Sequence, residues 1–276
     1  MEPKEQALEA AKLAADCIRR QLTPDRAPTV ALVLGTGWGK TLCLENEREL
    51  PFTDIPGFAG LGPLDGHARV VVCGDLDGRR VIVLRGRVHM YEHITDENTP
   101  QFVRLQIQML CELGVTSFIL TNAVGGLDGT TKVGDVVVAD DLVTLFVGSM
   151  PLVAEFPTPD VVLSADLRDL AVSCAPQGLN VQTGAYSMIH GPNVETRKDK
   201  AILCSLGAKT VGMSLVPELC VMGLYLKTLG PRAVCLSFVT DEVDEVMDHE
   251  VNQARVAKQA KLLGEYLTCL VACLDT

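Results

Sequence analysis

Apolar positions recur along the chain in two rhythms, one helical and one continuous. Residues 1–23 space their apolar positions at helical intervals and predict an amphipathic surface helix. Thr29–Leu34 (TVALVL) is a continuous apolar run that predicts a strand buried on both faces, ending at Gly35-Thr36-Gly37-Trp38-Gly39. Residues 68–75 and 79–85 are β-rich runs joined by Leu76-Asp77-Gly78, which predicts a hairpin. A helix follows over about 99–113, then a buried strand over Ser117–Leu120 that runs into Thr121-Asn122-Ala123-Val124-Gly125-Gly126. Val133–Ala139 predicts another strand, and 145–162, with three prolines and little periodicity, a loop. Helices over 165–175, 195–206 and 216–229 alternate with strands over 181–189, 209–212 and 233–239, and one long helix over 249–273 closes the chain.

This alternation predicts a single α/β domain over 1–276, its sheet covered by helices on both faces. No repeat, low-complexity tract or linker divides it. Ligands in open α/β sheets bind at the carboxyl ends of strands. Several predicted strands end in Gly, Ser, Thr, Asn or Asp, so the chemistry is expected there.

Composition narrows the class. Hydrophobic residues make up 47% and aromatics 4%, so the core is aliphatic. With 24 Lys+Arg against 35 Asp+Glu the net charge is −11, which argues against a general nucleic-acid or anionic-membrane surface. No apolar run approaches the ~18 residues of a membrane span, and the first residues carry no secretory apolar region, so a cytoplasmic chain is expected. None of the ten cysteines forms a C-x-x-C pair, and most lie in apolar runs. They read as reduced core residues, with Cys269 and Cys273 sharing one helix face. The five histidines show no metal-ligand spacing, and no metal is expected.

The Gly35–Gly39 loop can aim backbone N–H groups at an anion, with the Thr36 hydroxyl beside them, or can simply be a tight strand-to-helix turn. It is neither a Walker A loop, because Leu34 stands where the first glycine belongs, nor a dinucleotide fingerprint, because Lys40 replaces the third.

Further segments bear on that choice: Gly66-His67-Ala68, Arg85-Gly86-Arg87-Val88-His89-Met90-Tyr91-Glu92, Thr121–Gly126, His190-Gly191-Pro192-Asn193-Val194-Glu195-Thr196-Arg197, and Val211-Gly212-Met213-Ser214-Leu215-Val216-Pro217-Glu218. With the Gly35 loop, in this order and spacing, they make residues 30–255 closely resemble the trimeric purine nucleoside phosphorylases, a branch that includes the methylthioadenosine phosphorylases. The resemblance implies a single-domain nucleoside phosphorylase fold around a distorted mixed sheet, assembled as a homotrimer. It implies a pentosyltransferase of purine salvage that uses orthophosphate as co-substrate, with no metal and no organic cofactor. Purine nucleoside and phosphate would give free base and ribose 1-phosphate.

By the same resemblance, Thr36, His67, Arg87, His89, the Ala123 N–H and Ser214 would hold phosphate. Tyr91, Met213 and His249 would hold ribose. Glu195, Asp241 and Val194 would meet the base, and His89, Glu195 and Asp241 would carry the catalytic contacts. The residue types suit this chemistry. Arg87 can grip two phosphate oxygens at once, and Glu195 can accept from N1–H of a 6-oxopurine.

The sequence departs from the family pattern at several places. Asp241 stands where hypoxanthine- and guanine-specific members carry Asn, an amide that donates to N7 and O6. An ionised Asp cannot donate, so Asp241 is expected to hold a proton when base is bound, and the base preference to broaden or shift. Val194 replaces an aromatic that packs on the base. A deletion after Asp241 shifts His249, which is either the 5′-hydroxyl contact or the start of the last helix. Phe156 and Leu152 are candidates for contact with a neighbouring subunit's site. A methylthioadenosine phosphorylase and a non-catalytic nucleoside-binding protein are the alternative readings.

Overall fold

The computed structural model describes residues 2–274 except 24, 148–149 and 246–247, with the side chains of Ile94 and His249 also outside the description. Helix α1 spans Pro3–Gln21 and precedes strand β1, Val30–Leu34. Strands β2 (Glu45–Pro51), β3 (Val70–Leu76) and β4 (Arg79–Arg85) follow. Then come α2 (Thr99–Leu113), β5 (Ser117–Gly126), β6 (Val136–Val143), α3 (Ala165–Ser173) and β7 (Val181–Met188). The order finishes α4 (Arg197–Ser205), β8 (Ala208–Gly212), α5 (Val216–Gly223), β9 (Arg232–Asp241), α6 (His249–Lys258) and α7 (Ala260–Cys273).

The strands form one mixed sheet, ordered β2-β3-β4-β1-β5-β8-β7-β6-β9, and β9 also pairs with β5. That second pairing closes β5, β8, β7, β6 and β9 into a ring, which is the distortion expected of the sheet. Both faces are covered. Along β1, Ala31 and Val33 enter the core beneath α1 and α2, while Val30, Leu32 and Leu34 enter the core beneath α7. Successive side chains of a strand point to opposite faces, so a wholly apolar strand needs a hydrophobic layer on each side.

Local chemistry explains most element ends. The β3–β4 hairpin turns at Asp77 and Gly78, both with positive φ (49° and 75°), the backbone that a two-residue hairpin turn requires. Helix α2 stops at Gly114, φ 94°. Thr196 caps α4 by accepting from the Asp199 N–H, and Asp248 caps α6 through Val251.

The structure revises several predicted elements. Strand β2 was not expected: its residues are polar and, Leu50 apart, exposed, because it is an edge strand with no buried face to pattern it. Strand β5 continues to Gly126, where its end pairs with β8 and β9. Helix α5 ends at Gly223 rather than 229. The last helix is two, broken at Gln259. Both halves touch the turn that follows Gly35, but α6 packs on β9 while α7 packs on α3 and β3. All ten cysteines are unbonded. No helix among the described residues is long and apolar enough to cross a membrane.

Candidate active site

A cleft opens where β1, β4, β5, β8 and β9 end. It encloses about 690 Å³, including open solvent at its mouth. Thr36, Arg87, His89, Tyr91, Ala123, Val194, Glu195, Met213, Ser214 and Asp241 all line it, although they span more than two hundred positions of the sequence.

One end is built for an anion. Gly35 lies so close to β5 that a Cβ there would sit 2.6 Å from the Thr121 carbonyl oxygen and 3.3 Å from Arg87 Nη2, so only glycine lets the loop pass. Arg87 is fully buried. Its Nη1 donates to Glu218 Oε2 (3.0 Å), and its Nη2 donates to the carbonyls of Val33 (3.2 Å) and Thr121. Three of the five Arg87 N–H donors, both of those on Nη2 included, are therefore committed within the protein, and Nε lacks a partner. Arg87 supplies fixed positive charge beneath the cleft rather than an open fork. Burial pushes the Glu218 carboxyl up against the pull of Arg87.

His67 does not line the cleft. It stands behind Thr36, with Nε2 3.2 Å from the Thr36 hydroxyl, while its Nδ1 accepts the Arg87 backbone N–H (3.1 Å). An accepting Nδ1 puts the ring proton on Nε2, so His67 donates to Thr36 and leaves the Thr36 hydroxyl proton free to turn into the cleft. His89 packs edge-on against His67 and stacks on Tyr91, each pair of centroids 4.8 Å apart. Burial brings the His89 imidazolium down to about 4, so the ring is neutral at physiological pH. Ser214 is set by Tyr186, whose hydroxyl accepts the Ser214 N–H (3.2 Å) and donates to its carbonyl (2.9 Å).

The middle of the cleft is apolar. A Cβ on Gly191 would meet Met213 Sδ at 2.5 Å and Tyr91 Cδ1 at 3.1 Å, so these two side chains converge on one wall. Val194 is 41% exposed and covers little. Phe156 is 95% exposed on the 145–162 loop, whereas Leu152 packs on the core of its own chain.

The other end carries two carboxylates. A Cβ on Gly125 would lie 2.9 Å from Asp241 Oδ2 and 3.3 Å from Glu195 Oε1, so glycine leaves the space in which they meet. A register shift between Val124 and Gly125 sets Asp241 opposite Gly125. Asp241 is ion-paired: Lys200 Nζ lies 3.4 Å from Oδ2, both side chains at most 4% exposed, and Asn252 Nδ2 donates to Oδ1 at 3.2 Å. The buried ammonium beside Asp241 is a neighbour that the expectation of a protonated Asp241 in the base-bound site did not include. Burial raises the Glu195 carboxyl, with Asp241 adding to the effect and Lys200 opposing it.

Several contributors escaped the sequence reading. Asn122 lies in a motif segment, and its Nδ2 donates to Ser214 Oγ (3.3 Å) while its buried Oδ1 has no partner. Glu218 also sat within a motif. Lys200 and Asn252 had no signal at all, because each comes from a helix that only the fold brings to Asp241. The His249 side chain lies outside the described residues.

Comparison with known proteins identifies the family and the fold. The sequence model of the phosphorylase superfamily matches residues 29–272. The purine nucleoside phosphorylase of Mus musculus is 32% identical over 90% of this chain and 88% of its own. The solved structure of Schistosoma mansoni purine nucleoside phosphorylase in complex with inosine aligns with a TM-score of 0.84 at 28% identity, over 97% of each chain. The structure of that organism's enzyme in complex with adenosine aligns at 0.82 and 29% identity, covering 97% of this chain and 98% of that one.

Proposed function

The chain belongs to the purine nucleoside phosphorylases of the phosphorylase superfamily, pentosyltransferase enzymes, and we propose how its cleft divides their reaction and which bases it takes. The reaction is the reversible phosphorolysis of purine ribo- and 2′-deoxyribonucleosides to free base and (2-deoxy)ribose 1-phosphate. Phosphate sits at the Gly35 end, against Thr36, His89, the Ala123 N–H and Ser214, with the Arg87 charge beneath it. Tyr91 and Met213 form the ribose wall. The Asn122 Oδ1 is available to accept a sugar hydroxyl. A phosphate oxygen attacks the anomeric carbon as the bond to the purine breaks, and the electron pair leaves with the base. No covalent intermediate is needed. The rate comes from holding the two reactants in line and from donors aimed at the charge that moves. No residue of the proposal requires a metal or organic cofactor.

The observation that carries the base reading is the Asn252 amide bonded to the ion-paired Asp241 beside Glu195. Asp241 cannot donate to N7 or O6 as an amide would, but Asn252 lines the cleft beside it, and its second amide N–H supplies the donor for a 6-oxopurine while ionised Glu195 accepts N1–H. Lys200, whose ammonium bonds Asp241 and the carbonyls of Glu242 and Glu245, stands behind the cleft as the counter-charge of Asp241. A 6-aminopurine uses the same groups differently: Asp241 accepts from the 6-amino group, and a protonated Glu195 donates to N1. The site therefore prefers hypoxanthine and guanine when Glu195 is ionised and admits adenine when it is not.

The chain is proposed to act as a homotrimer in the cytoplasm, where the bare Phe156 and the half-open Val194 would meet a neighbouring subunit. The test is base release from inosine, guanosine, adenosine and methylthioadenosine, with and without phosphate. Phosphate-dependent release of hypoxanthine and guanine supports the reading. Release confined to methylthioadenosine would replace it with the methylthioadenosine branch. Nucleoside binding without turnover would leave a binding protein.

A further inference from the structure

Away from the cleft, the fold assembles one more group of reactive side chains. Cys174 is the residue that ends α3, and Cys269 and Cys273 lie one turn apart on α7. Their three Sγ atoms lie within 4.8 Å of one another. Cys174 is buried, while Cys269 and Cys273 are exposed. The sequence carries no hint of this site, because one ligand is nearly a hundred residues from the other two. We propose that this trio binds a soft, thiophilic d¹⁰ cation of the zinc–cadmium kind and so clips α7 to α3.

The geometry favours a shared cation over a disulfide. Side chains four apart on a helix have Cβ atoms roughly 5–6 Å apart. A disulfide needs about 3.5–4.5 Å, so Cys269 and Cys273 cannot bridge without breaking the helical turn. A zinc–sulfur bond is about 2.3 Å, which places three sulfurs around one ion roughly 4 Å apart. A small inward rotation of the side chains closes the ring. Three thiolates select soft ions over magnesium or calcium. The exposed side, between Cys269 and Cys273, gives the ion its entry and leaves room for a water as fourth ligand.

The two elements are already held in place. The Tyr266 hydroxyl on α7 donates to the Ala171 carbonyl on α3 (2.9 Å), and Leu267, Leu270 and Val271 are buried in the same core as Leu167 and Ala171. Binding exchanges thiol protons for the ion. Each thiol loses its proton to solvent as its sulfur–metal bond forms, and nothing is oxidised or reduced. None of the three residues lines the cleft, so the clip is a stabilising device rather than a part of phosphorolysis.

The test uses the full-length protein, reduced and metal-free, titrated with Cd²⁺ in the absence of oxygen. The ultraviolet charge-transfer band of thiolate-bound cadmium reports binding, and Zn²⁺ is measured by competition with a chromophoric chelator. One ion per chain is expected, with Tm raised by about 5 °C at a hundredfold excess over Kd. The double variant Cys269→Ser/Cys273→Ser should lose the band and the Tm shift and bind at least about 100-fold more weakly, with phosphorolysis intact as proof of folding. The control Cys43→Ser/Cys204→Ser, which alters two thiols outside the trio, should bind as the wild type does. Equal binding by wild type and the Cys269/Cys273 variant would overturn the proposal. So would the absence of any band at stoichiometric Cd²⁺. Mild oxidation that joins Cys174 to one partner, in a protein that binds neither ion when reduced, would replace it with a redox site.

Discussion

The two ends of the cleft are built on opposite plans. At the phosphate end the polar groups that line the cleft are neutral or cationic and are wired into the protein behind them: His67 fixes Thr36, Tyr186 fixes Ser214, and Glu218 holds Arg87. At the base end two carboxylates meet in a space that Gly125 leaves open, with an ammonium paired to one of them, and burial raises the Glu195 carboxyl. The contrast matches the reactants. Phosphate is the same in every turnover, so its site can be rigid and preorganised. The purine varies at one edge, so its site keeps groups whose charge can be rearranged.

The largest expected break in the comparison is Arg87→Met. It leaves Glu218 buried without its counter-charge, a loss of about 3–5 kcal/mol in stability. Phosphorolysis should fall by at least about 100-fold for every nucleoside alike, read from Tm and from kcat/KM with inosine and adenosine. A second effect at the same end concerns pH. The folded His89 titrates near 4 and the unfolded one near 6.5, so between these values the unfolded chain binds the extra proton. Stability should fall as pH falls from about 6.5 to 4, by at most about 3 kcal/mol from this residue. Denaturant unfolding in phosphate-free buffer should show a shallower pH slope in His89→Gln.

Base-end changes should alter preference rather than overall rate. Glu195→Gln replaces the charged acceptor for N1–H with a neutral amide oxygen, and inosine should lose about tenfold in kcat/KM, near 1.4 kcal/mol, with adenosine changed far less. Asn252→Leu should lower the inosine-to-adenosine ratio by about tenfold, the value of one donor. Adding Asp241→Asn to Asn252→Leu should restore inosine, since the new amide then supplies the missing donor. A fall of both substrates in parallel, without that rescue, would show Asn252 to be structural only.

The legible parts of the site were those written next to strand ends. Thr36, Arg87, His89, Ala123, Ser214 and Asp241 follow or end apolar strands, and the fold brings all six to one cleft. His67 was legible as a site residue but stands behind Thr36, a distinction of depth that a motif does not encode. Lys200 and Asn252 lie on the helices α4 and α6, and nothing in their local sequence distinguishes them from solvated helix residues. The expectation for Asp241 rested on two carboxylates in one pocket, and the ammonium beside them was not legible in the sequence. Among the strands, β2 was hidden by its polarity, and the register shift that aims Asp241 at Gly125 depends on β8 and β9 meeting β5 together.

The most direct test of the divided cleft is the ratio of kcat/KM for inosine to that for adenosine between pH 5 and 8 at saturating phosphate. Burial raises the Glu195 carboxyl above its ordinary value, so a fall in pH favours the protonated form that donates to adenine N1, and a rise favours the ionised form that accepts N1–H of hypoxanthine. The ratio should rise with pH in the wild type and become flat in Glu195→Gln. A ratio independent of pH in the wild type, or a slope that survives Glu195→Gln, would contradict the account.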